Sequence, residues 1–284
     1  MKLKSKKKLI IFAAIIFIIA VYCVAQNNWV KVEETEVSSK RIPKEFDGFK
    51  IVQISDVHLP KNASSVKGLI KLVEKQKPDV IFMTGDIIDR KCNIETSRFK
   101  ELAEGIAQIS SCYFVLGNHE HLNDVVSYNQ VMSDVGVINL NDSMCVLDKG
   151  GDKITLMGLD NYTPFSEDVF EGDSAIEDWS EIEDSYRILL AHRPELSRSY
   201  SDQSDIKPDL VFSGHAHGGQ IRIPFVGGIF APGQGFFPKH TDGLYSLNNN
   251  TKMMVSRGLG NSLFPIRINC RPHLPVVVLK SLED

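Results

Sequence analysis

The longest apolar stretch comes first in the chain. Leu9 to Ala25 carries no charged residue, and Met1 to Lys8 before it holds lysines at 2, 4, 6, 7 and 8. A basic segment followed by an uncharged apolar run predicts a single transmembrane helix. The run falls slightly short of the ~20 residues a square crossing needs, but tilt or local thinning makes up the difference, and Trp29 just beyond suits an interface. The basic flank before it, and Glu33, Glu34 and Glu36 after it, place the N-terminus in the cytoplasm and the rest of the chain outside. A cleaved signal peptide is the competing expectation. Tyr22 and Cys23 fit poorly where cleavage needs small residues, so retention is favoured.

A polar stretch at 26–42 reads as a linker, and beyond it the pattern alternates between strand and helix. Phe49 to Ile54 is a short apolar strand. Ser64 to Gln76 places Val66, Leu69, Ile70 and Val73 at helical spacing, and Val80 to Met83 is a buried type of strand. Arg98 to Ile109 then predicts a helix, Cys112 to Leu116 a strand and Asp124 to Val135 a helix. Buried strands joined by helices predict an α/β domain with largely parallel strands. From Gly136 onward strands dominate, at Lys153 to Gly158, Arg187 to Ala191, Leu210 to Ser213, Gln220 to Ile223, Leu244 to Leu247, Met253 to Val255 and Pro275 to Leu279. These predict a second sheet. The expected organisation is a cytoplasmic segment at 1–8, a membrane anchor at 9–25, the linker at 26–42 and one catalytic domain at 43–284.

Composition removes some classes of function. With 43% hydrophobic and 24% charged residues the chain has enough apolar material for a large core, and it is neither disordered nor fibrous. A net charge of -4 offers no broad attraction for nucleic acid, so a phosphate-bearing ligand must be met by local charge. Cys23, Cys92, Cys112, Cys145 and Cys270 include no Cys-x-x-Cys pair. Any metal chemistry therefore falls to other ligands, and no protein partner can be inferred.

Five polar clusters close the apolar strands: Asp56-Val57-His58, Gly85-Asp86, Gly117-Asn118-His119-Glu120, Ala191-His192 and Gly214-His215-Ala216-His217. Open α/β sheets place ligands at the carboxyl ends of their strands, so loops far apart in sequence can converge there. Carboxylate, imidazole and amide donors without a thiolate suit Mn, Fe or Zn better than Ca or Mg. On extended chain, Asp-x-His and His-x-His would direct both side chains to one face. Glycines at 85, 117 and 214 allow sharp turns and close approach. His121, His240 and His273 fall outside the clusters and read as surface or loop histidines.

These clusters, together with Gly218-Gly219-Gln220-Ile221-Arg222-Ile223-Pro224 and Arg257-Gly258-Leu259-Gly260, resemble the calcineurin-like metallophosphoesterase superfamily, in its membrane-anchored bacterial phosphodiesterase branch. The resemblance runs from about residue 48 to the C-terminus. It implies an αββα fold, two sheets flanked by helices, and two divalent metal ions. By the same resemblance, Asp56, His58 and His217 hold the first ion, Asp86 bridges, and Asn118, His192 and His215 hold the second. A metal-bound hydroxide would attack phosphorus in line while His119 assists the leaving oxygen.

Glu120 stands where many members have Asp and would orient His119. Asp89 matches the second acidic position of Gly-Asp-x-x-Asp and is expected to shape the loop by a hydrogen bond. Arg193 and Arg222 are candidates for substrate phosphate. The anchor favours a phosphodiester that is lipid-linked or part of the cell envelope. The metal motifs alone leave a phosphomonoesterase, a protein phosphatase or a non-catalytic phosphate-binding receptor open. The Gly-rich, aromatic stretch from Phe225 to Phe237 is a candidate for lipid contact.

Overall fold

Period-two alternation decides how the strands stack. A computed structural model describes residues 2–59, 66–170, 184–202, 207–261 and 266–282. Helix α1 (Lys2–Asn28) leads into β1 (Lys31–Ser39) and β2 (Lys50–Ile54). Then come α2 (Val66–Gln76), β3 (Val80–Thr84), α3 (Phe99–Ala107), β4 (Cys112–Val115), α4 (Asn118–His121), α5 (Val125–Asp134) and β5 (Ile138–Asn139). The second half carries β6 (Ser143–Lys149), β7 (Asp152–Leu159), β8 (Tyr186–Ala191), β9 (Leu210–Ser213), β10 (Arg222–Ile223), β11 (Gly227–Gly228), β12 (Phe230–Ala231) and β13 (Gly235–Phe236). It closes with β14 (Gly243–Ser246), β15 (Lys252–Val255) and β16 (His273–Ser281).

Two six-stranded sheets result, ordered β1-β16-β2-β3-β4-β5 and β14-β15-β9-β8-β7-β6. Alternate residues of each central strand face opposite layers. Phe82, Tyr113 and Val115 of the first sheet meet Ile188, Leu190 and Phe212 of the second in one buried cluster. Phe82 and Phe212 pack edge to face with ring centres 5.2 Å apart. The intervening residues Ile81, Met83 and Phe114 turn the other way, onto Leu69 and Val73 of α2, Leu102 and Ile106 of α3, and Met132 of α5. Behind the second sheet, Leu189, Val211 and Val255 pack on Phe165, Phe170 and Tyr200. The expected layering of two sheets flanked by helices is therefore present.

The helices follow their apolar spacing. Phe99, Leu102, Ala103 and Ile106 make the buried stripe of α3, and the Asp124 carboxylate caps α5 by accepting the Ser127 amide. Ser64, the expected start of α2, lies outside the described residues. From Lys6 to Asn28, α1 is long and apolar enough to cross a membrane, with a mean hydropathy of 2.8 and none of its most apolar window buried.

Three expectations need correction. Most of the linker at 26–42 is strand: β1 pairs in parallel with β16, Lys31 facing His273 through to Ser39 facing Ser281. The strand expected at Pro275 to Leu279 joins the first sheet, not the second, because β16 also pairs antiparallel with β2. The strand expected at Gln220 to Ile223 shortens to β10 and pairs with β11 in a small ribbon outside both sheets.

Candidate metal centre

Strands β2, β3 and β4 run parallel in one sheet, and β8 and β9 run parallel in the other. Their carboxyl ends therefore emerge along shared edges, which the buried Gln53 ties together: its amide donates to Thr84 Oγ1 at 2.8 Å and across the gap to the Ser213 carbonyl at 2.9 Å. All five clusters open from these ends. Asp56 and His58 follow β2, Asp86 follows β3, Asn118 and His119 open α4 after β4, His192 follows β8, and His215 and His217 follow β9.

The side chains converge, but not on extended chain. Asp56, His58, Asp86, His215 and His217 all have positive φ, between 47° and 63°. A non-glycine residue in that region costs about 1 kcal/mol or more, so the surrounding fold holds these five in place against their own preference. Left-handed turns at alternate residues, not a flat strand, swing the paired side chains of Asp-x-His and His-x-His inward. Gly85 has φ +86°, and a Cβ there would lie 2.6 Å from the Gly117 amide nitrogen and 2.7 Å from His192 Nδ1. At Gly214 a Cβ would meet Ser55 Oγ at 1.9 Å, although its φ is ordinary.

At the centre lies Asp86 Oδ2, 3.5 Å from His192 Nε2 and 3.9 Å from both His58 Nε2 and His119 Nε2. His58 Nε2 is 3.0 Å from His217 Nε2, which is 3.3 Å from Asp56 Oδ1. Among the described residues, three groups could each hold a metal ion: Asp56, His58 and His217; Asp86, His192 and His215; and His58, Asp89 and His119, the first and last sharing His58. The donor set fits a divalent cation. His192 Nε2 and Asn118 Oδ1 are buried with no hydrogen-bond partner, and His192 gives its Nδ1 proton to the Thr84 carbonyl at 2.7 Å, so that Nε2 is the atom the neutral ring would offer an ion.

Electrostatics reinforce that fit. Burial opposes ionisation of Asp86, yet His192, His58 and His119 hold it well below the usual carboxylate range. Burial raises Asp56 to about 7, and the neighbouring Asp86 charge adds to the rise. His192 is raised to about 10 because Asp86 overrides the effect of burial, whereas burial and His192 lower His215 to about 3. His217 is likewise held neutral by burial and by His58. His215 and His217 are thus held in the neutral form that ligates metals, whereas His192 would give up its Nε2 proton to Asp86 or to water on binding an ion.

The flanking residues divide. Glu120 does not touch His119; its carboxylate accepts the amides of Asp86 at 2.8 Å, Ile88 at 3.1 Å and Gly117 at 2.8 Å, so it welds two site loops together. The role expected of it is closer to Asp89, whose Oδ2 lies 3.8 Å from His119 Nδ1 and whose Oδ1 accepts the Lys91 amide at 3.1 Å. The Arg90 amide donates to His119 Nδ1 at 3.2 Å. Arg193 pairs with Glu195 at 2.8 Å and keeps part of its side chain in solvent. Arg222 is engaged by the Gly218 carbonyl at 2.9 Å, Thr241 Oγ1 at 3.0 Å and Asp242 at 3.3 Å, so its guanidinium holds the 217–219 turn.

His121 pairs with Asp160 at 2.8 Å. His273 is buried in β16 and not on the surface, with its Nδ1 accepting the Arg257 amide. Arg267 is not among the residues that the sequence singles out. It is fully buried, reaches the carbonyls of Gly258 and Gly260, and places Nη2 3.5 Å from His217 Nδ1. Nothing in Phe264-Pro265-Ile266-Arg267 distinguishes such an arginine from an exposed one.

Comparison with known proteins agrees with this geometry. The calcineurin-like phosphoesterase family matches residues 49–219. Metallophosphoesterase YkuE of Bacillus subtilis is 33% identical over 90% of this chain and 87% of its own length. Phosphodiesterase YaeI of Escherichia coli is 27% identical over 81% of this chain and 82% of its own length. A Danio rerio transmembrane protein with a metallophosphoesterase domain is 28% identical over 88% of this chain, which spans 57% of that protein. With carboxylates, imidazoles and an amide drawn together at the ends of five strands, the chain belongs to the calcineurin-like phosphoesterase family and is a phosphoric ester hydrolase that uses divalent metal.

Proposed function

We propose that this chain is a membrane-anchored phosphodiesterase with two divalent ions at one centre. The observation that carries the proposal is the position of Asp86: it belongs to the group with His192 and His215, its Oδ2 3.5 Å from His192 Nε2, and the same oxygen lies 3.9 Å from His58 Nε2 of the group with Asp56 and His217. Asp56, His58, Asp86 and His217 would hold one ion, and Asp86, Asn118, His192 and His215 the other. Imidazole, amide and carboxylate donors favour Mn, Fe or Zn. When bound, the ions supply Lewis acidity and a water activated at neutral pH.

The protein's own groups do the rest. The Arg90 amide occupies His119 Nδ1, so the neutral ring carries its proton on Nε2, facing the cluster. That proton is available to the leaving oxygen. Arg193, part exposed at the rim beside Glu195, is placed to meet a phosphate oxygen. The relative named phosphodiesterase YaeI supports a diester over a monoester. Helix α1, with lysines before it and acidic residues after it, supports retention in the membrane with the catalytic domain outside the cytoplasm, where a lipid-linked or cell-envelope substrate is at hand.

The test is turnover of bis(p-nitrophenyl) phosphate against p-nitrophenyl phosphate by the full chain, with metal content measured in parallel. Two equivalents of metal and preference for the diester are expected. Preference for the monoester would replace the reading with a phosphomonoesterase, and metal binding without turnover would leave a receptor.

A further inference from the structure

The exposed apolar side chains of the catalytic domain are not spread evenly. Ile223, Phe225, Val226, Phe230, Phe236 and Phe237 all lie within the fifteen residues 223–237, whereas Leu122, Val126, Ile138, Tyr162, Ile266 and Leu282 are distributed over the rest of the chain. Scattered apolar residues are normal on a soluble surface; a cluster of four phenylalanines is not. Phe225 is the extreme case. It follows Pro224 in a turn closed by the Val226 amide onto the Ile223 carbonyl at 3.1 Å, and its φ of 68° is one that favours glycine. Its side chain is wholly in solvent. Neither packing nor backbone preference accounts for an aromatic residue there.

The surroundings of the ribbons supply the partner. Asn269 donates to the Arg222 carbonyl at 3.2 Å, at the stem of the first ribbon, and accepts from the Tyr22 hydroxyl of α1. Arg271 stacks on Trp29 at 4.4 Å and donates to the Trp29 carbonyl at 2.8 Å. Asn27 accepts from the Arg267 amide at 3.1 Å. One segment, 266–272, thus clips the end of α1 to the stem of the aromatic ribbons. Tyr22 and Trp29 mark the level at which a spanning helix leaves the hydrocarbon, since such rings settle among headgroups.

We propose that the ribbons from Ile223 to Phe237 are a second membrane contact, their phenylalanines entering the headgroup and upper acyl region of the bilayer that α1 spans. This rests on the reading of α1 as a retained anchor. The inner side of the same ribbons borders the metal centre: a Cβ on Gly219 would lie 2.5 Å from Gly228 Cα, and one on Gly233 would lie 2.2 Å from Glu195 Oε1, itself 3.8 Å from His215 Nε2. Entry of the rings into the bilayer therefore sets the rim of the centre at the lipid surface. The substrate class this selects is a phosphodiester carried on a lipid headgroup, reached without leaving the membrane.

The experiment uses the full chain reconstituted into phosphatidylcholine vesicles whose acyl chains are brominated, a quencher of indole emission. Phe225→Trp and Phe236→Trp are compared with Val126→Trp on α5 and with the parent, which has its own Trp29 and Trp179. Metal content matched to the parent reports an intact fold in each variant. Emission added at 225 and 236 is expected to fall about twofold in brominated vesicles, as for rings held at the acyl boundary, while emission added at 126 is unchanged. Unquenched emission at both loop positions would overturn the proposal. A parent chain that shows no quenching at all would overturn the anchor and the proposal together. Turnover of bis(p-nitrophenyl) phosphate by the parent is scored separately, so a failed phosphodiesterase reading is distinguishable from a failed membrane contact.

Discussion

The two sheets supply the metal centre with different chemistry. Loops of the first bring both central carboxylates, Asp56 and Asp86, with His58, Asn118 and His119; loops of the second bring only imidazoles, His192, His215 and His217. Both carboxylates thus come from one sheet, while imidazoles come from each. Asp86 and His192 depend on each other: His192 holds Asp86 ionised and Asp86 overrides burial to raise His192 to about 10, while His215 and His217 stay uncharged because burial outweighs every attraction to them. A site assembled like this is expected to fail in graded fashion, according to which sheet is damaged.

The harshest test is Asp86→Ala. Loss of both metal equivalents and a fall of turnover to background are expected, measured by metal analysis and diester hydrolysis of the same sample; retention of one equivalent would break the division between the sheets. His217→Ala should be milder, with one equivalent kept and turnover reduced about 100- to 1,000-fold, the scale seen when one stabilising partner is removed. His119→Ala should keep both ions and lower kcat about 100- to 10,000-fold. Equal metal loss in the two histidine variants would remove the distinction between ligand and proton donor.

Packing between the sheets can be weakened without touching either set of ligands. Phe82→Ala removes the ring that meets Phe212 and is expected to cost about 3–5 kcal/mol in denaturant unfolding. The smallest effect concerns Glu120, which burial and the nearby Asp86 raise to about 7 from an ordinary 4.5. Since its pKa is higher in the folded state, its contribution to stability is full below 4.5 and is lost as pH rises through about 7. In chelator-treated protein, Glu120→Gln should therefore melt lower than the parent at pH 4.5 and close that gap by pH 8. A gap independent of pH would show that the three amide donors keep Glu120 ionised throughout.

Much of this was legible in the sequence because it is written locally. Strands such as Val80–Thr84 and Leu210–Ser213 show as buried runs, and α3 as an apolar stripe of period 3.6. The metal-type residues were legible for the same reason: each cluster directly follows a strand, and parallel strands carry their ends to one edge. What was missed is non-local. The nine-residue pairing of β1 with β16 leaves no mark on a polar stretch read as linker. Positive φ at Asp56 or His217 is strain imposed by neighbours, not a preference of Asp or His. Arg267 is identified only by the carbonyls that surround it.

That pairing of β1 with β16 bears on how the protein is made. β1 is made before every other described strand and β16 after all of them, so the first sheet cannot close until the strands between have been made. Until then β1, whose one partner in the sheet is β16, waits with an open edge, which is the kind of surface that recruits a wrong strand. Synthesis of β16 and closure of the first sheet are therefore coupled, and a chain interrupted before β16 would leave β1 unpaired.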